Sequence, residues 1–185
     1  MKTVDRWLQQ WRIAKVRPYV SQGARVLDLG CADGALYQRL QSTVGEVIGI
    51  DPTLSSDVEM GRCRLISGRF PEDLPDAEPF DAITMLAVLE HIPLDEQPRL
   101  AVECARRLRP GGFVIITVPN PVVDRILTVL RFLRLIDGMS LEEHYGFDPS
   151  VVPATFGVAS LRLVKSEAFQ LGCNNLFVFQ RPAAF

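Results

Sequence analysis

Apolar and polar positions along the chain follow two rhythms. Val4, Leu8, Trp11 and Ala14 or Lys15 recur at helical spacing and predict an amphipathic helix over residues 3–17 that ends near Pro18. Dense apolar runs follow at 25–29 ("RVLDL"), 46–50 ("EVIGI"), 63–67 ("CRLIS"), 80–85 ("FDAITM") and 112–118 ("GFVIITV"). Bulky runs with little alternation suit strands covered on both faces. Between them, helices are predicted at 34–41 and 95–108, the second placing Leu100, Cys104 and Leu108 on one face. Residues 53–60 and 70–78 are rich in Pro and Asp and predict short connections in place of full helices. Strands alternating with helices predict an α/β fold with a doubly wound, mostly parallel sheet.

Residues 121–136, "PVVDRILTVLRFLRLI", open with Pro at a first helical position and set Val122, Ile126, Val129 and Leu133 along one stripe. Such a helix is about 24 Å long at 1.5 Å per residue. Its arginines, Arg125, Arg131 and Arg134, suit peripheral contact with an anionic membrane surface or a hydrophobic acceptor pocket. Packing against the sheet edge explains the same stripe equally well. A mixed segment with a short helix at Pro149–Phe156 follows. The last two runs, "LRLVKSEAF" and "NNLFVFQR", are joined only by "QLGC", which is long enough for an antiparallel hairpin and too short for a parallel crossover.

With 185 residues, 48% of them hydrophobic, the chain has the size and core material of one domain, residues 1–185. A net charge of -2 gives no general attraction to nucleic acid, so none is expected as a partner. The first residues carry charge throughout and do not read as a signal peptide, and no run of 18 apolar residues offers a membrane span. Cys31, Cys63, Cys104 and Cys173 lack metal-ligand or redox spacing and read as buried free thiols in a reducing cytoplasm. With His91 and His144 as the only histidines, no metal site is expected.

The stretch "VLDLGCADGA" (26–35) carries the first chemical signal. Gly30, Ala32 and Gly34 leave little side chain at the bend after the first strand, so a ligand can approach the backbone closely. In an open α/β sheet, ligands bind beyond the carboxyl ends of the strands where strand order reverses. Asp51 lies about 20 residues beyond the turn, the spacing that lets a carboxylate accept hydrogen bonds from two ribose hydroxyls. Asp51-Pro52 also reads as an ordinary turn starter. A glycine turn and a later acid do not by themselves separate a nicotinamide cofactor from another nucleoside. Ala32 and Ala35 stand where G-x-G-x-x-G wants glycine, and an antiparallel final strand is foreign to a plain dinucleotide fold.

Four segments together resemble the class I S-adenosylmethionine-dependent methyltransferases, in their compact small-molecule branch. "VLDLGCADG" is similar to the first motif of that family, "VIGIDP" to the second, "FDAITMLAVLEHI" to the fourth and "ARRLRPGGFVIITVPNP" to the fifth. "NNLFVFQRP" resembles the last strand of the branch, and the likeness runs in order over about residues 20–181. "EHYGF" (143–147) is loosely similar to an H-x-x-F-F turn of relatives that act on quinones, lipids and sugars. The resemblance implies a Rossmann-like, seven-stranded sheet, six strands parallel and the last antiparallel. It implies S-adenosylmethionine as cofactor, set against Gly30, Cys31, Ala32 and Gly34, with Asp28 near its methionine end and Asp51 on its ribose. Pro52 would pack on the adenine, the backbone around Arg69 and Phe70 would border its other edge, and Leu86 and Ala87 would lie beneath the methionine portion. Two positions depart from the family. Ala32 replaces a second glycine, and Arg69 stands where an acid commonly receives the adenine amino group, which leaves backbone, Glu72 or Asp73 for that task.

A sulfonium carries an activated methyl group, so the protein must chiefly align a nucleophile and exclude water. A hydroxyl acceptor also needs a base, for which His91 and His144 are the candidates, each with a structural role as the alternative. Glu90 reads as a cap or ion-pair partner of the following helix as readily as a cofactor contact, and Trp7, Trp11 and Tyr19 as core or as an aromatic lid. The expected function is methyl transfer to a small acceptor, hydrophobic in one reading. The alternatives are a non-catalytic binder of the same nucleosides or of a protein partner, and a nicotinamide oxidoreductase.

Overall fold

The computed structural model describes residues 3–75, 78–120 and 147–183. The predicted helix 121–136, and His144 with most of "EHYGF", lie outside these residues. Each predicted strand forms: β1 (Arg25–Leu29), β2 (Glu46–Asp51), β4 (Cys63–Ser67), β5 (Phe80–Leu86) and β6 (Leu108–Pro119), followed by the hairpin of β7 (Arg162–Phe169) and β8 (Asn174–Gln180). Helices α1 (Thr3–Val16), α2 (Ala35–Leu40), α3 (Gln97–Arg107) and α4 (Val152–Gly157) lie near their expected positions. With a further short strand, β3 (Val58–Met60), the sheet order is β3-β4-β2-β1-β5-β6-β8-β7.

The count of seven strands needs one correction. An eighth strand, β3 (Val58–Met60), pairs antiparallel with β4, Val58 opposite Leu65 and Met60 opposite Cys63. It occupies the segment between β2 and β4 that was expected to be a plain connection. Three residues are too few to display a period of two, so the sequence carries no readable sign of it. Of the seven expected strands, β8 alone runs against the rest. It pairs antiparallel with both β6 and β7.

β6 begins earlier than its apolar run suggests. Residues 108–111 precede the predicted run of 112–118, yet Gly111 N–H donates to Arg181 O and Arg181 N–H to Gly112 O, both at 2.9 Å, which keeps the ladder going. The register shifts there, between the pairs Phe80–Leu108 and Ala82–Phe113. Such a shift is a β-bulge that absorbs the extra residues.

Both faces of the sheet are covered. Leu27, Ile50, Met85 and Ile116 pack with Leu100 of α3 and Phe156 of α4. Val26, Val47, Ala82 and Ile115 pack on the other face with Ile13 of α1 and Leu36 of α2. Strand alternation therefore turns Asp28, two residues beyond Val26, toward α1 and α2. The β7–β8 hairpin holds α1 in place. Gln170 Nε2 donates to Leu8 O at 2.9 Å, Lys15 pairs with Glu167, and Trp11 meets Phe169 edge-on with centroids 6.5 Å apart. Among the described residues no helix is long and apolar enough to cross a membrane.

Candidate active site

Strand order reverses at β1, which pairs with β2 on one side and β5 on the other. Beyond its carboxyl end lies a cleft of about 530 Å³ lined by residues of α1, the 30–36 turn, the end of β2 and the end of β5. A second compartment of about 340 Å³ adjoins it toward β4 and α3. Gly30, Pro52, Val88 and His91 border both.

The 30–34 turn is bent by alternating left-handed residues. Gly30 has φ +72°, Ala32 +43° and Gly34 +72°. A Cβ on Gly30 would lie 2.3 Å from Val88 Cγ2, so the wall between the compartments passes directly over this backbone. Gly30→Ala should therefore cost about 2–4 kcal/mol, from the left-handed backbone and the overlap together. Chemical denaturation measures this, and adding Val88→Ala should return part of the loss. Gly34 lines neither compartment. A Cβ there would meet Met60 Cε at 2.7 Å and Leu65 Cδ1 at 3.3 Å, so its smallness lets the start of α2 approach β3 and β4.

Two buried acids face the first compartment. Asp28 stands opposite Thr84 across the β1–β5 ladder, and Thr84 Oγ1 donates to Asp28 Oδ1 at 2.6 Å. Burial pushes the Asp28 carboxyl up to about 7, the Thr84 hydrogen bond pulls it down, and the Asp51 charge raises it further. At neutral pH this group is divided between acid and carboxylate, and a cation beside it would favour the carboxylate. Asp51 Oδ1 accepts from Thr53 N–H at 2.8 Å and Thr53 Oγ1 at 2.6 Å, while Oδ2 accepts from Ala32 N–H at 2.9 Å. Asp51 is thus a turn starter and also a tie between β2 and the glycine turn. About one acceptor position of its carboxylate is left for a ligand.

The other predicted residues divide between the compartments. Cys31, Ala32, Leu86 and Ala87 line the first, Arg69 and Phe70 the second, and Pro52 both. Ala87 is itself left-handed, at φ +60°, and donates its N–H to Thr117 O at 2.8 Å. His91 closes the short turn Leu89–His91 and is exposed at the junction of the compartments. Glu90 is buried and lines neither, and Glu96 occupies the N-cap of α3. Burial pushes the Cys31 thiol up, so it is a protonated wall and no nucleophile.

Gln9, Arg12 and Ile13 also line the cleft and escaped the sequence reading. The aromatic residues of α1 do not line the cleft. Trp7 and Trp11 stack edge-on on each other, centroids 4.9 Å apart, and Tyr19 packs on Phe113 at 5.7 Å, so none of the three closes a lid over the cleft. The available signal was the spacing of Gln9, Arg12 and Ile13, which share a helical face. Among the described residues no three His, Cys, Asp or Glu side chains gather as metal ligands do.

The sequence matches the methyltransferase domain family over residues 4–154. The ubiquinone biosynthesis O-methyltransferase of Alkalilimnicola ehrlichii is 37% identical over 113 residues, covering 54% of this chain and 43% of that protein. Its counterpart in Pseudomonas putida is 32% identical over 149 residues, covering 75% and 62%. The chain thus spans less than two thirds of the length of these relatives. In fold it is similar to the N-methyltransferase NodS of Bradyrhizobium japonicum WM9, solved with S-adenosyl-L-homocysteine, at a TM-score of 0.63 and 15% identity over 94% of this chain and 87% of that one. The order of the motifs, the acids at the ends of β1 and β2 and the match over most of the sequence agree: the chain belongs to the methyltransferase domain family, of the class I, S-adenosylmethionine-dependent kind.

Proposed function

We propose that the chain transfers a methyl group from S-adenosylmethionine to a hydroxyl of a small, apolar acceptor. The observation that carries this reading is the convergence of Asp28, Asp51 and Arg12 on one cleft at the reversal of strand order. The chemistry of the cleft fits the cofactor. Asp28 is a carboxyl whose charged form lacks enough stabilisation without a cation, Arg12 brings a guanidinium for a carboxylate, and Asp51 keeps an acceptor position for a ribose hydroxyl. Gly30 borders the cleft where the Val88 side chain leaves no room for a Cβ.

When bound, S-adenosylmethionine supplies a methyl group already activated by its sulfonium. Asp28 opposes the ammonium of the methionine portion, Arg12 its carboxylate, and Asp51 fixes the ribose. Together they hold the ligand in one orientation, and orientation of this kind is worth on the order of 7–11 kcal/mol. Leu86, Ala87 and Val88 keep water from the reacting end. A hydroxyl acceptor has to lose its proton, and His91 takes it on a ring nitrogen at the rim. The names of the related O-methyltransferases support a hydroxyl target. The same reading sets the chain in a reducing cytoplasm, which its free thiols support.

Calorimetric titration with S-adenosylmethionine, S-adenosylhomocysteine and NAD tests the cofactor. Micromolar binding of the two sulfur nucleosides without NAD is expected, and binding of NAD alone would overturn the reading in favour of an oxidoreductase. A methyl-transfer screen over phenolic acceptors tests the reaction. In that assay His91→Ala should lower kcat by about 10²–10⁴ while leaving affinity for S-adenosylhomocysteine within about threefold. An unchanged kcat at saturating acceptor would remove His91 as the base.

A further inference from the structure

For the adenine of the cofactor the usual acid is missing, because Arg69 stands in its place, and the sequence leaves backbone, Glu72 or Asp73 as candidates. A ribose held at Asp51 would bring the base beside Pro52, which borders the 340 Å³ compartment between the loop after β4 and the start of α3. Four acidic or basic side chains besides His91 border that space: Arg69, Glu72, Glu96 and Arg99. Arg99 and Glu72 are bound to each other, Nη2 to Oε1 at 2.8 Å. Asp73, the other acid of the loop, accepts the Arg69 N–H at 2.8 Å and packs against Gly68. The Glu72 and Asp73 carboxylates, both candidates from sequence, are thus engaged by the protein itself. Among the described residues, the Arg69 guanidinium and the Glu96 carboxylate carry no side-chain hydrogen bond or ion pair.

Adenine presents a donor, its 6-amino group, next to a ring nitrogen that accepts. A carboxylate can only accept and a guanidinium can only donate. Arg69, in the loop after β4, and Glu96, at the start of α3, both border the compartment. Resting on the cofactor reading above, we infer that these two residues read the adenine, Glu96 accepting from the 6-amino group and Arg69 donating to N7, an acceptor that the 6-oxo base also keeps. The acid that the family commonly carries after the strand preceding β5 is thereby moved to the N-cap of α3. A helix N-terminus favours negative charge there through its macrodipole. This arrangement makes Glu96 and Arg69 determinants of base specificity, with no part in the chemical step.

Calorimetry with S-adenosylhomocysteine and with its 6-oxo analogue, S-inosylhomocysteine, tests the pair. The analogue replaces the amino group by an acceptor oxygen, which faces the Glu96 carboxylate unfavourably. The wild-type chain should bind the adenine compound about tenfold more tightly. Glu96→Gln can donate as well as accept, and should reduce that preference to within about twofold; Arg69→Met should weaken binding of the adenine compound about fivefold. Both side chains are exposed, so these substitutions leave the core untouched. If the wild type binds both compounds equally, or Glu96→Gln keeps the full preference, the inference is overturned and the cofactor reading stands. If the wild type binds neither, both are overturned.

Discussion

Between about pH 5 and pH 8.5 the thermal midpoint of the ligand-free chain should fall by on the order of 10 °C, and Asp28→Asn should remove most of that fall. The cause is the buried Asp28 carboxyl, raised from 3.8 to about 7 by desolvation in the sheet. From about pH 4 to 7 the folded chain holds a proton that the unfolded chain has released, so stability is full below this window and declines as pH rises through it. The part above pH 5 amounts to about 3 kcal/mol, and a chain of this size loses roughly 2–4 °C per kcal/mol. Asp57, Asp148 and Glu167, which are held below the usual carboxylate range by hydrogen bonds, act in a more acidic window and in the opposite direction. Asn at position 28 keeps an acceptor for Thr84 without a charge to desolvate, so the variant should be the more stable protein at pH 8.5. It should also be the poorer binder. Affinity of the wild type for S-adenosylhomocysteine should rise with pH through about 7, as Asp28 becomes the carboxylate that a ligand ammonium requires, and Asp28→Asn should flatten that rise. Melting curves and titrations across this pH range check both halves, and a pH-independent wild type would remove Asp28 from the account.

Asp51→Ala should weaken S-adenosylhomocysteine binding about 100-fold. A hydrogen bond to a charged group is worth about 1.5–3 kcal/mol, and the one acceptor position left on the Asp51 carboxylate would take a ribose hydroxyl. The same substitution leaves the Ala32 N–H, at a left-handed residue in the glycine turn, without its acceptor, so the loop that should hold the cofactor loses its tie to β2. Asp51→Asn keeps one carboxamide oxygen and should lose about tenfold. Thr53→Ala, which removes only one of the donors now held by Asp51 Oδ1, should stay within about threefold of wild type. Should Asp51→Ala bind within threefold of wild type, the ribose assignment fails, and with it the placement of the nucleoside at the end of β2.

Much of the fold was readable because parallel strands buried on both faces cannot hide. β1, β2, β4 and β5 are near-continuous apolar runs, and the four-residue link in "QLGC" permits only a hairpin. The chemistry was readable where a motif ties it to a strand end, as with Asp28, Gly30 and Asp51. β3 was not, since three residues lack a period, and neither was the early start of β6, since residues 108–111 lie outside the apolar run and are held in the ladder by Arg181.

The sequence by itself determined where the apolar strands lie, the hairpin at the end and the two acids offered at the strand ends, because period, connection length and turn chemistry are local properties; Cys173, expected to be buried, is only partly so. The tertiary structure alone decided which face of α1 meets the cleft, because Trp11, Lys15 and the Leu8 carbonyl are gripped by a hairpin more than 150 residues away in the chain. It decided, too, that Asp28 lies deep enough to titrate near neutrality, since desolvation depends on the layers packed over β1. It left Arg69 and Glu96 facing one space from two different elements, while Glu72 and Asp73 were engaged elsewhere. Contacts of that kind join residues remote in sequence, and no local pattern in the chain records them.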